Sequence, residues 1–229
     1  MRVLNTGYNR KLLTEEKASA LLAGGIMQHG YQCGMIWGSV MAAGAQAYSL
    51  FGAGTESEVK AITAAQKLVK TFQGCSGEIN CLEITDLDKS ASALKMFIVF
   101  MIKGKTFSCF NMAGKFAPQA FQDINAVFAE DIAYPASGPV SCSAVLAEKL
   151  GATEEQIVMA SGLAGGIGLC GEGCGALGAA IWLHQIKKGA DTKLDFKSKE
   201  AMDLIEKFLE ASEYEFECAD IVGRKFESI

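Results

Sequence analysis

The sequence predicts an all-α fold, a helical bundle built from two pseudo-symmetric repeats. Three observations carry this. A glycine-rich, cysteine-bearing motif occurs twice at an offset of 141 residues; apolar residues between the motifs recur at helical spacing; and hairpin signals between alternating apolar runs are scarce. The motif is Leu22-Ala23-Gly24-Gly25-Ile26, which returns as Leu163-Ala164-Gly165-Gly166-Ile167. At the same offset Gly30 meets Gly171, Cys33 meets Cys174 and Gly34 meets Gly175.

Taken in chain order, the segment Met1 to Glu16 carries Arg2, Arg10 and Lys11 without the apolar run of a secretory leader, which points to a cytoplasmic chain. From Ala18 to Thr55 there is no Asp, Glu, Lys or Arg, and Gly34 to Gly54 is long enough to span a bilayer. The stretch is nonetheless rich in Gly, Ala and Ser, contains Gln46 and Tyr48, and lacks a flanking Lys/Arg cluster. It reads as a soluble helix whose small residues let a second helix approach closely, and a membrane role is disfavoured. Thr55-x-x-Glu58 reads as a capping box, with Ile62, Ala65, Val69 and Phe72 on one face of the helix that follows. Met96 to Phe110 has two apolar runs around Lys103-Gly104-Lys105; the helical context favours helix over hairpin, with Met96, Phe97, Phe100 and Met101 as core.

In the second copy Thr153-x-x-Gln156 reads as another capping box, and Ser198 caps a helix whose apolar residues fall at Ala201, Leu204, Ile205, Phe208 and Leu209. Each copy thus runs through a small-residue helix and an amphipathic helix to a further cysteine. Cys81 follows Cys33 by 48 residues and Cys218 follows Cys174 by 44, a difference of one helical turn assigned to the connecting loop. The repeat units are 1–131 and 132–229, expected to form one compact domain.

Composition narrows the chemistry. With 229 residues, 21% charged and three prolines, the chain belongs with ordered globular proteins, and a net charge of −5 without a basic block argues against a nucleic-acid partner. Eight cysteines in a reducing compartment point to metal ligands or working thiols rather than structural disulfides. They divide evenly into Cys33, Cys75, Cys81 and Cys109 in the first copy and Cys142, Cys170, Cys174 and Cys218 in the second. Four thiols per unit is the number that a tetrahedral zinc or an iron–sulfur cluster uses.

Cys170-Gly-Glu-Gly-Cys174 would place two thiols on one helix face near a helix N-terminus, which lowers thiol pKa. At the repeat offset His29 replaces Cys170, one metal-ligand type for another, so Cys33, Cys81, Cys174, Cys218 and His29 form the narrower metal set. Against this, a free cysteine often serves as a small buried hydrophobe, the plain reading for Cys109 and Cys142. His184, beside Trp182, reads as structural, and Glu172 as a helix-start carboxylate. Gly24-Gly25 and Gly165-Gly166 would each weaken a helix by about 1 kcal/mol per glycine, repaid by close helix crossing or by a cofactor.

The run from Cys142-Ser-Ala-Val-Leu through Ala160-Ser-Gly-Leu-Ala-Gly-Gly-Ile-Gly to Cys174-Gly-Ala176 and on to Cys218 resembles the redox-active family named for its C_GCAxxG_C_C cysteine pattern. The first copy is similar from Cys33-Gly-x-x-x-Gly38 through Gly77-Glu-Ile-Asn-Cys81 to Cys109. The resemblance implies a compact helical fold, functional cysteines and a redox or metal role, and the family is itself similar to the iron–sulfur part of split-Soret cytochromes. The first copy lacks a cysteine before Cys33 to match Cys142, and the second ends before a counterpart of Cys109. No C-x-x-C-H is present for covalent haem. The expectation is a redox protein holding an iron–sulfur cluster, with zinc as the alternative metal, and transferring electrons to a redox partner protein or small electron carrier. The alternatives are a thiol–disulfide oxidoreductase using Cys170 and Cys174, and a non-catalytic metal-binding protein. A homodimer is the expected self-association.

Overall fold

Helix-forming segments and glycine-rich turns alternate along the chain in the computed structural model, which describes residues 1–102, 104–133, 141–189, 191–224 and 226. The first copy contains α1 (Arg2–Gly7), α2 (Leu13–Ser19) with a 3-10 turn at Ala20–Leu22, α3 (Gly34–Phe51), α4 (Thr55–Ser76) and α5 (Cys81–Thr85). It continues with α6 (Ala93–Phe97), a π turn at Ile98–Ile102, and α7 (Lys105–Ala129). The second copy contains α8 (Cys142–Lys149), α9 (Glu154–Ser161), α10 (Gly175–Lys188), α11 (Lys199–Ala211) and α12 (Cys218–Val222). No strand occurs among the described residues, only isolated antiparallel bridges joining Gln32 to Asn80 and Gly173 to Glu217.

The copies correspond element by element. Helix α1 matches α8, α3 matches α10, α4 matches α11 and α5 matches α12, whereas α6 and α7 have no second-copy counterpart among the described residues. The two halves interlock reciprocally: α3 packs on α9, and α10 packs on α2 and the 3-10 turn. A single buried cluster includes Leu22, Trp37 and Phe72 with Leu163, Trp182 and Phe216. At the axis relating the halves, equivalent positions meet as large against small. The indole of Trp37, fully buried, occupies the space that any side chain on Gly178 would need, and Gly178 is Trp37's own repeat equivalent.

The small-residue helix behaves as its composition implies, since a Cβ on Gly44 of α3 would lie 2.6 Å from the Cα of Met159 on α9. Among the described residues, no helix is long and apolar enough to cross a membrane. Ile62, Ala65, Val69 and Phe72 are all buried, and Phe72 meets Phe116 of α7 edge to face at 5.1 Å. The capping box at Thr153 forms, its hydroxyl accepting from the Gln156 amide while Gln156 Oε1 accepts from the Thr153 amide.

Five local expectations are corrected. Gly54 rather than Thr55 stands at the N-cap of α4, which makes Thr55 the first helical residue, so no side chain caps the helix and no box forms with Glu58. Ser198 stands at the N-cap of α11, but its hydroxyl donates to the Glu200 carboxylate instead of accepting from the helix. The helical reading of Met96 to Phe110 holds for the described residues, with Lys103 outside them, but the core reading does not. Phe97 and Met101 are 57% and 65% exposed, with Leu94, Ile102, Phe107 and Phe110 exposed beside them, so no described residue covers this face of α6 and the start of α7; the side chains of Met96 and Phe100 lie outside the description. The difference of four residues between copies is not a loop difference alone. Helix α3 has 18 residues against 14 in α10 and α4 has 22 against 13 in α11, while the loop 189–198 lengthens to compensate.

The fifth correction concerns the paired glycines, which are not in helices. Gly24 to Gln28 have φ of 72°, 72°, 51°, 48° and 65°, and Gly165 to Leu169 have 57°, 74°, 60°, 65° and 62°. Five successive left-handed residues are unusual, because each non-glycine residue there costs roughly 1–2 kcal/mol through the Cβ–carbonyl clash. Burial offsets this: Ile26 and Ile167 are fully buried, each contributing about 1.5–3 kcal/mol. The same backbone bonds hold both turns, including Met27 N to Leu21 O and Gly168 N to Gly162 O at 2.7 and 2.9 Å. Gly25 and Gly166 are needed because the chain returns against itself at Tyr31 and Glu172 respectively.

Candidate redox site

The left-handed turn exists to bring two distant cysteines together. In the first copy it delivers Tyr31 and Cys33 to a two-way clasp, Cys33 N donating to Ile79 O at 2.8 Å and Cys81 N donating to Tyr31 O at 2.7 Å. The second copy repeats it, Cys174 N donating to Phe216 O at 3.0 Å and Cys218 N to Glu172 O at 2.7 Å. Cys33 and Cys174 are the N-caps of α3 and α10, and Cys81 and Cys218 are the first residues of α5 and α12. The local reason is that each clasp uses up the amide of the residue before or at a helix start, where no intrahelical partner exists.

A third cysteine lies within electrostatic reach of each pair, from a different helix in each copy. In the first copy burial pushes the Cys33 thiol up to about 12, with the charges of Cys81 and Cys109 adding to the rise and the Met35 amide opposing it. Burial also raises Cys81, opposed by the Thr85 hydroxyl and reinforced by Cys109. In the second copy burial raises Cys174, opposed by the Leu177 and Ala176 amides and reinforced by Cys142. Burial takes Cys218 to about 11, with Cys174, Cys142 and Glu217 adding to it. Electrostatic influence thus links Cys33, Cys81 and Cys109 in one cluster and Cys142, Cys174 and Cys218 in the other, neither gathered tightly enough among the described residues to hold a metal ion. Cys109 comes from α7, after the shared pair in sequence, and Cys142 from the start of α8, before it.

The remaining two cysteines stand apart from these clusters. Cys75 Sγ donates to Gln119 Oε1 at 3.4 Å. Cys170 Sγ donates back to Gly168 O at 3.6 Å, and its charged neighbours are Glu172 and Lys70 rather than another thiol. Cys170 lies in the turn before α10, so it and Cys174 do not share a helix face. Glu172 likewise precedes the helix instead of starting it. The expected lowering of thiol pKa at the helix start is also overturned: burial outweighs the helix-end amides at Cys174 and raises it, and burial with Glu172 takes Cys170 to about 11 against Lys70. His29, the counterpart of Cys170, bonds through Nδ1 to Ile26 O at 2.9 Å, and its Nε2 accepts from Lys89 at 2.9 Å. His184 is on α10, its Nε2 buried.

The donor chemistry of each cluster suits a soft metal, but each offers three thiols rather than four. Among the described residues no group of three or more His, Cys, Asp or Glu is close enough to hold a metal ion. The four-cysteine sets that include Cys75 and Cys170 are not gathered. All eight cysteines are free.

Two features absent from the sequence reading lie beside the clusters. Glu217, just before Cys218, accepts from the Gln32 amide at 3.0 Å through both oxygens, and burial raises its carboxyl to about 7. Its first-copy counterpart in the clasp is Asn80, a group that does not titrate. The repeat alignment around the second cysteine of each copy was the signal available for this. The second feature is a cavity of about 240 Å³ reached by Cys81, in the angle between the left-handed turn and α5. It has no sequence signal, because one wall is Phe196 from the other copy.

The family described as "Putative redox-active protein (C_GCAxxG_C_C)" matches the chain twice, over residues 3–119 and 140–228. No curated protein and no solved structure matches it. The two matched stretches contain the two clusters, one each.

Proposed function

Since the chain belongs to the C_GCAxxG_C_C family and carries its match twice, we propose that it is a thiol-based redox protein in which two cysteines of each cluster cycle between dithiol and disulfide. The observation that supports this best is the backbone clasp, repeated in both copies, that joins two cysteine-bearing segments, with a third thiol within electrostatic reach of each pair. Forming the S–S bond releases two electrons and two protons from the pair, and reduction returns both. In the second copy exposed Cys142 is the natural partner of Cys174. Cys170, expected from sequence to fill that role, has no thiol among its charged neighbours. The clasped cysteine at the helix cap is held in place while the third cysteine approaches from its own helix, which suits a pair that must change partners. A cytoplasmic setting would keep the thiols reduced between turnovers, and the electrons would pass to a redox partner protein or a small carrier.

A second reading is favoured by the amide of Met35 at Cys33 and those of Ala176 and Leu177 at Cys174, since such donors stabilise thiolate ligands. In it Cys33, Cys81 and Cys109, and Cys142, Cys174 and Cys218, hold an iron–sulfur cluster for electron transfer, or zinc without redox cycling. Anaerobic purification separates the readings. Metal-free protein that forms disulfides within each cluster in a redox buffer, mapped by mass spectrometry, supports the first. Stoichiometric iron and sulfide with visible absorption would replace it with the second, and zinc with no redox cycling would leave a metal-binding protein.

A further inference from the structure

The cysteine that opens the short helix of each clasp differs in access between the copies. Cys81 is half-buried and lines the 240 Å³ cavity, whose apolar walls are Ala23, Gly24, Leu87 and Phe196. In the second copy the counterpart of Cys81 is Cys218, which is buried. There the ring of Phe226 lies against Gly165, the counterpart of Gly24, its Cδ2 being 3.3 Å from where a Cβ would stand. Leu169 also occupies the position of Gln28 and lies against the same glycine, so an apolar side chain replaces a polar one. Among the described residues around the first-copy cavity there is no Lys or Arg; the polar groups are Gln28, Thr85 and Asp88. Asp88 accepts from the Ser90 hydroxyl and amide, which hold its carboxyl below the usual range, and Lys95, outside the lining, adds to the lowering. Such a lining offers an anionic compound no cation to pair with and places Asp88 against it, and it accepts an uncharged one with a short aliphatic body.

We infer that this cavity is the binding site of a small uncharged aliphatic disulfide, which Cys81 reduces while Cys218 stays closed to it; the inference rests on the dithiol reading above. Cys81 Sγ attacks one substrate sulfur. The Cys81–substrate S–S bond forms as the substrate S–S bond breaks, and the proton lost by Cys81 passes through solvent to the departing sulfur. A second thiol of the cluster, Cys33 or Cys109, then displaces the bound half in the same way. The protein gains an internal disulfide and loses two electrons and two protons, which the two released substrate thiols carry away. Thiol exchange here accelerates with rising pH, because burial raises the Cys81 thiol and thiolate forms only above the ordinary range.

The test uses the reduced full chain and bis(2-hydroxyethyl) disulfide as the probe, with oxidised glutathione as the anionic control. Peptide mapping after a quench should find the mixed disulfide on Cys81 at least about tenfold ahead of Cys218, since access governs exchange. In a chain carrying both Cys33→Ser and Cys109→Ser the adduct on Cys81 should accumulate, because both resolving thiols are missing. Ala23→Phe, at an exposed position on the cavity wall, should slow modification of Cys81, and Phe226→Ala should speed modification of Cys218. Equal labelling of Cys81 and Cys218 in the unaltered chain, or glutathione disulfide reacting as fast as the neutral probe, would overturn the inference. The dithiol reading is tested apart by diamide, an oxidant that needs no pocket. Internal disulfides with diamide but no probe adduct on Cys81 sink the cavity assignment alone, whereas none with either sinks both.

Discussion

The first copy buries its cap cysteine, Cys33, and leaves Cys81 half-buried, whereas the second buries Cys218 and leaves the cap cysteine Cys174 half-buried, although one clasp, one left-handed turn and one pair of helix caps build both. Beside Cys81 lies a cavity, with Asn80 preceding it in the chain; Cys218 is preceded by Glu217, whose carboxyl burial raises to about 7, and in its copy Phe226 and Leu169 lie against Gly165, the counterpart of the cavity-lining Gly24. The third thiol arrives from α7 in one copy and from α8 in the other. Duplication therefore preserved the backbone device that sets two cysteines side by side and let everything that controls access and proton supply diverge. The clasp is common because it depends on main-chain groups and glycines, whereas access depends on side chains that differ freely between the copies.

The largest expected effect separates the two centres completely. Cys33→Ser should abolish disulfide formation among Cys33, Cys81 and Cys109 that involves the cap position while leaving Cys142–Cys174 intact, and Cys174→Ser should do the reverse. Electron counting in a redox titration checks this, each variant losing reversible capacity in one copy only. If either change silences both clusters, the copies are coupled and the comparison fails.

Next in size is the packing at the axis. Trp37→Ala removes a fully buried indole from above Gly178 and should cost about 3–5 kcal/mol in urea unfolding. Smaller is the effect at the second turn, where Gly168 has φ +65° and stands against the backbone of Ala65 and Gln66. Gly168→Ala should destabilise by about 1–3 kcal/mol. Its counterpart Met27 already carries a side chain at φ 48°, so Met27→Ala tests burial there without a new clash.

The smallest effect is a pH dependence confined to the second copy. The carboxyl of Glu217 is raised in the fold from 4.5 to about 7, so between those values the folded chain binds more protons than the unfolded one. Stability contributed by this site is present below about pH 4.5 and falls as pH rises toward 7. Glu217→Gln should flatten that part of the profile in urea melts taken across pH 4.5 to 7, and a variant at Asn80 should not.

The all-α fold, the repeat and its offset, the faces of α4 and α11, and the pairing of Cys33 with Cys81 and Cys174 with Cys218 as shared elements were legible in the residues, because periodicity and repetition are properties of one strand of text. Gly24-Gly25 and Gly165-Gly166 were recognisable as unusual, but not as left-handed turns, since a glycine pair marks only that a side chain is missing and not which way the chain bends. Cys75 and Cys170 illustrate the other limit. Counting placed four thiols in each copy, and only packing separated the clustered three from the one bonded to Gln119 or to Gly168.

By itself the sequence determined that this chain is two related helical units with cysteines at corresponding places, because hydrophobic period, glycine spacing and self-similarity are local. Tertiary structure alone decided which thiols meet, which of them a small molecule reaches and which carboxyl shares their surroundings. Those outcomes depend on contacts such as Phe196 over the Cys81 cavity and Gln32 on Glu217, between residues more than a hundred positions apart, and local patterns carry no information about such distances.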